Sequence, residues 1–297
     1  MQNFTVDGRV KTYWFGDKGR ADFLHTAEQK DITPVNIGVK NDLYEAPILP
    51  TNAIEDVLAQ IEGDYGGVLD KKIKQGKKIT EEDHEKIAMY VSALETRTIM
   101  QQEHLNSFLD QLNDTGRAMA LGHNAPDAAD RWTKQMDAMK EVFFAQAMAV
   151  SLDVNKWRPL DFCFVSPSSF VDIEFITSDH PVTLVDFAAD NSFYGLNQWS
   201  KTAECVVPLT PKIALFGNRC GITGYKEIDY NFVREVNNRV LRRANKMVIT
   251  ASPIPEYEGK AIIERQPQSL LLNFTKLPDG RADKILKAQD KAENDKQ

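Results

Sequence analysis

The chain has 297 residues, of which 42% are hydrophobic, 27% charged and 9% aromatic, the balance of an ordinary soluble globular protein with a large core. Its net charge of −7 argues against broad, sequence-independent nucleic-acid binding, which needs many phosphate-neutralising Lys and Arg. Three cysteines (Cys163, Cys205 and Cys220) with no CxxC spacing argue against a disulfide framework and for a reducing compartment. The first ten residues lack the basic start and apolar core of a signal peptide. The longest apolar stretch, Val142 to Leu152, is too short to span a bilayer, so the expected location is the cytoplasm.

The N-terminal fifty residues read as strands and turns. Asp7-Gly8 is a turn signal, and Arg9 to Phe15 is rich in β-branched and aromatic residues. Gly16-Asp17-Lys18-Gly19 predicts a hairpin turn with a return strand through Ala21 to Thr26, and a third strand is expected over Pro34 to Val39.

Residues 52–156 carry helical periodicity. Asn52 is the expected N-cap of a helix whose stripe is Ile54, Val57, Leu58, Ile61, Tyr65, Val68 and Leu69. Gly63, Gly66 and Gly67 inside it predict a kink or a close helix contact. Thr80 with Asp83 forms a capping box, and the stripe from Ile87 through Leu94, Leu105 and Phe108 to Leu112 predicts one long second helix. A third starts near Pro126, with Trp132, Met136, Met139, Phe143 and Val150 on one face.

Strands return over Leu160 to Val165, Val171 to Thr177, Val182 to Phe187, Glu204 to Pro208 and Lys212 to Phe216. No helix separates them, so their pairing is expected to be mainly antiparallel. A helix from Asp229 to about Lys246 and a strand from Met247 to Ala251 follow. The predicted fold class is α+β: a mainly antiparallel sheet with an inserted three-helix subdomain, in a single domain over 1–278, then a charged tail over 279–297. The N-terminal hairpin is expected to join the sheet of the C-terminal half.

Polar residues that interrupt apolar stripes mark the candidate site, because burying them unpaired is costly. Val171 to Phe175 runs into Ser178, Asp179, His180 and then Pro181, a strand end that projects polar side chains from a rigid base. Asp179 is a candidate general base, Ser178 a candidate nucleophile and His180 its sterically easier partner, since alternate residues of a strand share a face. No G-x-S-x-G elbow accompanies them. The bland alternative is a structural turn in which both side chains cap backbone N–H groups beside a proline. Arg97, Thr98, Gln101 and Asn237 are the expected substrate-binding side, converging on that strand end or else forming a satisfied buried network.

Asp172-x-Glu174 pairs two carboxylates on a strand face, but Ile176 stands where a nuclease triplet would have lysine. The five histidines form no short ligand pair, so no metal is expected. A P-loop is absent, and the sequence has no dinucleotide fingerprint either, so no cofactor is expected. Arg239, Arg242, Arg243 and Lys246 fall within one sector of the helix and would offer a face to a phosphate-bearing or acidic ligand, with a solvated helix end as the default.

The motif set Asn3-Phe4, Tyr13-Trp14, Asp42-Leu43-Tyr44, Ile61-Glu62-Gly63, Arg97-Thr98, Phe175 to Val182 and Val207 to Pro211 resembles the bacterial domain of unknown function 4238 family over roughly Met1 to Ala251. The resemblance implies an opening segment with a His and a Pro that this chain lacks, as in an N-terminally truncated member. It implies no activity. Two classes of function follow: a hydrolase-like enzyme acting on a phosphorylated or nucleic-acid-related substrate, or a non-catalytic interaction or regulatory protein whose polar network is structural.

Overall fold

A computed structural model describes residues 2–14, 28–33, 50, 52–186, 200–253 and 270. The strands are β1 (Val10–Trp14), β2 (Glu28–Ile32), β3 (Asp161–Pro167), β4 (Thr177–Ser178), β5 (Thr183–Asp186), β6 (Ala203–Thr210), β7 (Ile213–Asn218), β8 (Gly224–Ile228) and β9 (Met247–Thr250). The helices are α1 (Ala53–Lys71), α2 (Glu81–Thr96), α3 (Ile99–Gly122), α4 (Pro126–Ser151) and α5 (Tyr230–Arg243). The fold is α+β and mostly antiparallel, with the helical insertion between the N-terminal and C-terminal strands. Among the described residues no helix is long and apolar enough to cross a membrane.

Among the described residues the strands form two sheets rather than one. The first has the order β2-β1-β9-β4, all antiparallel. The N-terminal strand therefore does join a C-terminal one, with β1 paired to β9, and β1 pairs to Glu28–Ile32. The return strand expected at Ala21 to Thr26 and the third strand at Pro34 to Val39 lie outside the described residues.

The second sheet has the order β5-β6-β7-β3-β8. Its one parallel pair, β3 with β8, arises because the connection after β7 hops across the start of β3. Buried Asn218 builds that short crossing: its Oδ1 accepts from the N–H groups of Cys220 and Ile222, and its Nδ2 donates to the carbonyls of Asp161 and Ile222. A left-handed Gly221 (φ 77°) completes the turn, a conformation that a Cβ would strain.

This second sheet is covered on both faces, so β6 is buried at every position and is apolar apart from Glu204 and Thr210. On one face Phe162, Phe164, Val207 and Leu215 pack against Tyr65 and Leu69 of α1, Ile87 and Val91 of α2, and Trp157. On the other, Cys163, Val165, Val206 and Phe216 pack against Phe232, Val233 and Val236 of α5, with Phe175. Each such side chain contributes roughly 1.5–3 kcal/mol of burial.

Four helices, not three, fill the insertion. The long second stripe is interrupted at Arg97 and Thr98, where the chain turns extended (Thr98 φ −85°, ψ 145°) and Thr98 caps a new helix by accepting from the Gln101 N–H at 3.2 Å. The stripe's phase carries across the break, which hides it from periodicity, whereas the Thr98-x-x-Gln101 capping pattern reveals it. Helix α1 is uninterrupted, and a Cβ on Gly63, Gly66 or Gly67 would meet nothing within 4 Å, so these glycines mark no close helix contact. Asn52 occupies the N-cap position in a left-handed conformation with no side-chain capping bond.

Candidate functional site

The polar strand end sits where the two sheets meet α5. The segment expected as a strand over Val171 to Thr177 forms a ladder only at β4, where Thr177 and Ser178 pair with Ile249 and Val248 of β9. Asn237, on α5, replaces the missing ladder. Its Oδ1 accepts from the Ile176 N–H at 3.1 Å and its Nδ2 donates to the Glu174 carbonyl at 2.8 Å. A side-chain amide offers one acceptor and a donor pair, the same complement as a neighbouring strand's backbone.

Asp179 binds the connection that leaves α5. Its Oδ1 accepts from Asn245 N–H at 2.9 Å and its Oδ2 from Lys246 N–H at 2.7 Å, while its own N–H donates to the Met247 carbonyl at 3.3 Å. Burial pushes its carboxyl pKa up, and the backbone N–H bonds from Lys246, Asn245 and Met247 oppose that shift. The Ser178 hydroxyl accepts from the His180 backbone N–H at 3.1 Å. Both Ser178 and His180 are sealed, at 3% and 2% exposure. Burial, with the Arg243 charge second, lowers the His180 pKa to about 4, so the ring is neutral near pH 7. Its Nδ1 is buried and has no hydrogen-bond partner among the described residues.

The other expected site residues disperse. Arg97 ends α2 and forms an ion pair with Glu62 of α1. Thr98 is buried as the α3 cap, and Gln101 enters through its backbone N–H, its side chain half-buried. Asn237, by contrast, bonds directly to the segment leading into Ser178. Asp172 is exposed, whereas Glu174 is half-buried and pairs with Lys212 at 3.3 Å.

The basic sector of α5 does not form one solvent face. Arg239 has a 1% exposed side chain, with Nη2 donating to Glu204 Oε2 at 2.6 Å and Nε to Glu235 Oε1 at 3.3 Å. Arg242 donates to Asn238 Oδ1 at 3.3 Å, and Lys246 lies 3.7 Å from Glu103 of α3. Helical angle alone puts Arg239 beside Arg242, but α5 is covered on most of its circumference, and Glu204 on β6 draws Arg239 inward. Glu204 is legible in the sequence as the acid inside the apolar run Ala203 to Val207, a position that demands a cationic partner. The Leu270 N–H also donates to it, at 3.0 Å.

A groove of about 630 Å³ opens elsewhere, between the start of α2 and the β3 and β8 ends, lined among others by Thr80, Glu81, His84, Arg158, Phe162 and Tyr225. His84 stacks on Phe162 with ring centroids 4.2 Å apart and meets the Leu160 carbonyl through Nε2 at 3.1 Å. Among the described residues no group of three or more His, Cys, Asp or Glu side chains is placed to hold a metal ion.

Fold and strand end together define an α+β protein in which Asp179 fastens the end of β4 to the connection that runs from α5 into β9. The chain belongs to the family described as Protein of unknown function (DUF4238), whose profile matches residues 2–253. No curated protein matches the chain, and no solved structure does.

Proposed function

We propose that this is a non-catalytic interaction or regulatory protein whose polar strand end holds the fold together. One observation carries this reading: both carboxylate oxygens of Asp179 are occupied by backbone N–H groups of the α5–β9 connection. Ser178 supports it, since its hydroxyl is buried and engaged with backbone, and so does Asn237, whose two ends serve the backbone of 174–176. Three buried free cysteines fit a reducing compartment, and we place the protein in the cytoplasm.

Asp179→Ala strands two donors and is expected to cost about 2–3 kcal/mol, read as a clear fall in melting temperature. Arg97→Ala removes a part-exposed ion pair and is expected to cost at most about 1 kcal/mol. Melts of both variants that coincide with wild type would sink this reading.

A second reading, a hydrolase acting on a phosphorylated or nucleic-acid-related substrate through Asp179, Ser178 and His180, draws on the neutral imidazole with its open Nδ1. Turnover of a phosphate ester that disappears in a folded His180→Gln variant would favour it.

A further inference from the structure

Helices α3 and α4 form an antiparallel hairpin. Lys140 pairs with Asp110, and a Cβ on Gly116 would lie 2.3 Å from Trp132 Nε1, so residue numbers fall along one helix as they rise along the other. Its base is anchored, with Phe144, Ala145 and Met148 packed on Ile54, Leu58 and Ala93. Farther out, the seam between the two helices buries Leu109, Ala129 and Met136. Asn113 Oδ1 and Trp132 Nε1, both buried in the hairpin, have no partner among the described residues.

One side of this hairpin is apolar and open. On α3 the positions 101, 105, 108, 112, 115 and 119 repeat at four, three, four, three and four residues, the spacing of a heptad stripe. Within it Phe108 is 55% exposed, Leu112 38% and Met119 63%. On α4 the positions 132, 136, 139, 143, 146 and 150 repeat in the same way, and Met139 is 41% and Val150 82% exposed. In an antiparallel pair, equal angular offsets from the seam lie on the same side. Relative to Leu109 and Met136, which face the seam, the exposed apolar residues Phe108, Leu112, Met119, Met139 and Val150 are all offset in one direction, while Asp110, Asp114, Arg117, Asp137 and Lys140 are offset in the other.

We propose that the α3–α4 hairpin pairs through this face with the same hairpin of a second copy of the chain, forming a four-helix bundle. The proposal deepens the interaction-protein reading and rests on it. Neither stripe contains an Asp, Glu, Lys or Arg, so two copies meet without like-charge repulsion, and a charged partner would find nothing to read. Heptad spacing on both helices is self-complementary, as a two-fold interface requires. The area suffices: a 24-residue helix is about 36 Å long and two side by side about 20 Å wide. That is up to about 700 Å² per copy and about 1,400 Å² in all, within the range of specific interfaces. A two-helix hairpin with so few buried seam residues also gains the second apolar layer that helical bundles use.

The test is the mass of the full chain by light scattering and sedimentation equilibrium at tens of micromolar. A dimer is expected, and Phe108→Glu combined with Met119→Glu should weaken it by about a hundredfold or more with unchanged far-ultraviolet dichroism. If that pair loses helix, Phe108→Ala with Met119→Ala takes its place, with about tenfold or more weakening expected. A monomeric wild type overturns the proposal, and so does a dimer whose dissociation constant neither pair moves, since the contact then lies elsewhere. Either result together with a destabilised Asp179→Ala variant leaves the interaction-protein reading standing, whereas an unmoved Asp179→Ala melt counts against that reading alone.

Discussion

Burial gives His180 and Asp179 opposite pH dependences, although they are neighbours. The His180 pKa falls from 6.5 to about 4 on folding, so the unfolded chain binds its proton first as pH drops. Stability is therefore lost as pH falls from about 6.5 towards 4, by up to roughly 3 kcal/mol from this group. The Asp179 carboxyl is raised above its ordinary 3.8, so the folded chain takes up that proton first and gains stability as pH falls towards 3.8. The net acid slope is thus shallower than His180 alone would produce. Melting temperatures of wild type and His180→Gln between pH 7 and 4.5 check this: the variant should lose much of the acid slope, and parallel curves would refute it.

Helices in this chain use glycine in two different ways, with opposite consequences for substitution. Gly116 lets α3 approach Trp132, and alanine there would put its Cβ 2.3 Å from the indole nitrogen, so a rigid ring must move. Gly63 on α1 has nothing within 4 Å of an added Cβ. Replacing either glycine by alanine gains up to about 1 kcal/mol of helix propensity. At Gly116 a steric cost of about 1–3 kcal/mol should outweigh that gain, so Gly116→Ala is expected to lower the denaturant midpoint and Gly63→Ala to raise it. Equal shifts in the two variants would show that the hairpin seam is not closely packed. The Thr98 cap belongs to the same scale: a short chemical pattern, Thr98-x-x-Gln101, starts a new helix within an apolar stripe that keeps its phase.

At the scale of the molecule, α5 is the element through which the sheets communicate. Its apolar side fills the space beneath the second sheet, Asn237 holds the segment before β4, and Arg239 reaches Glu204 on β6. The Arg239–Glu204–Glu235 cluster is nearly sealed from water, so its members depend on one another. Arg239→Met leaves two buried carboxylates without their shared cation, and a loss of about 3–5 kcal/mol is expected by equilibrium unfolding in urea. Restoring much of that loss with Glu204→Gln and Glu235→Gln added to Arg239→Met would establish that the penalty is electrostatic.

Much of this architecture is legible in the order of residues alone. Alternating and helical periodicities locate β3, β5, β6, β7, β9, α1, α4 and α5, whereas β8 has no counterpart among the expected strands and Val171 to Thr177 pairs only at its end; short connections without helices imply antiparallel pairing. The Thr80–Asp83 box and the Asp229 cap are local chemistry and need nothing beyond a few residues. What periodicity cannot carry is which faces meet. Two sheets rather than one, the parallel β3–β8 pair and the inward turn of Arg239 depend on partners distant in sequence, 35 residues away for Glu204. The polar strand end shows the division most plainly. The residue types around Ser178, Asp179 and His180 are those of a catalytic turn or of a cap, and a backbone amide 66 residues away decides what the Asp179 carboxylate binds. Sequence by itself determined where polarity interrupts apolar surface, because that is written in side-chain chemistry. Tertiary structure alone decided what satisfies each interruption, because hydrogen bonds are closed by distance in space and not by distance along the chain.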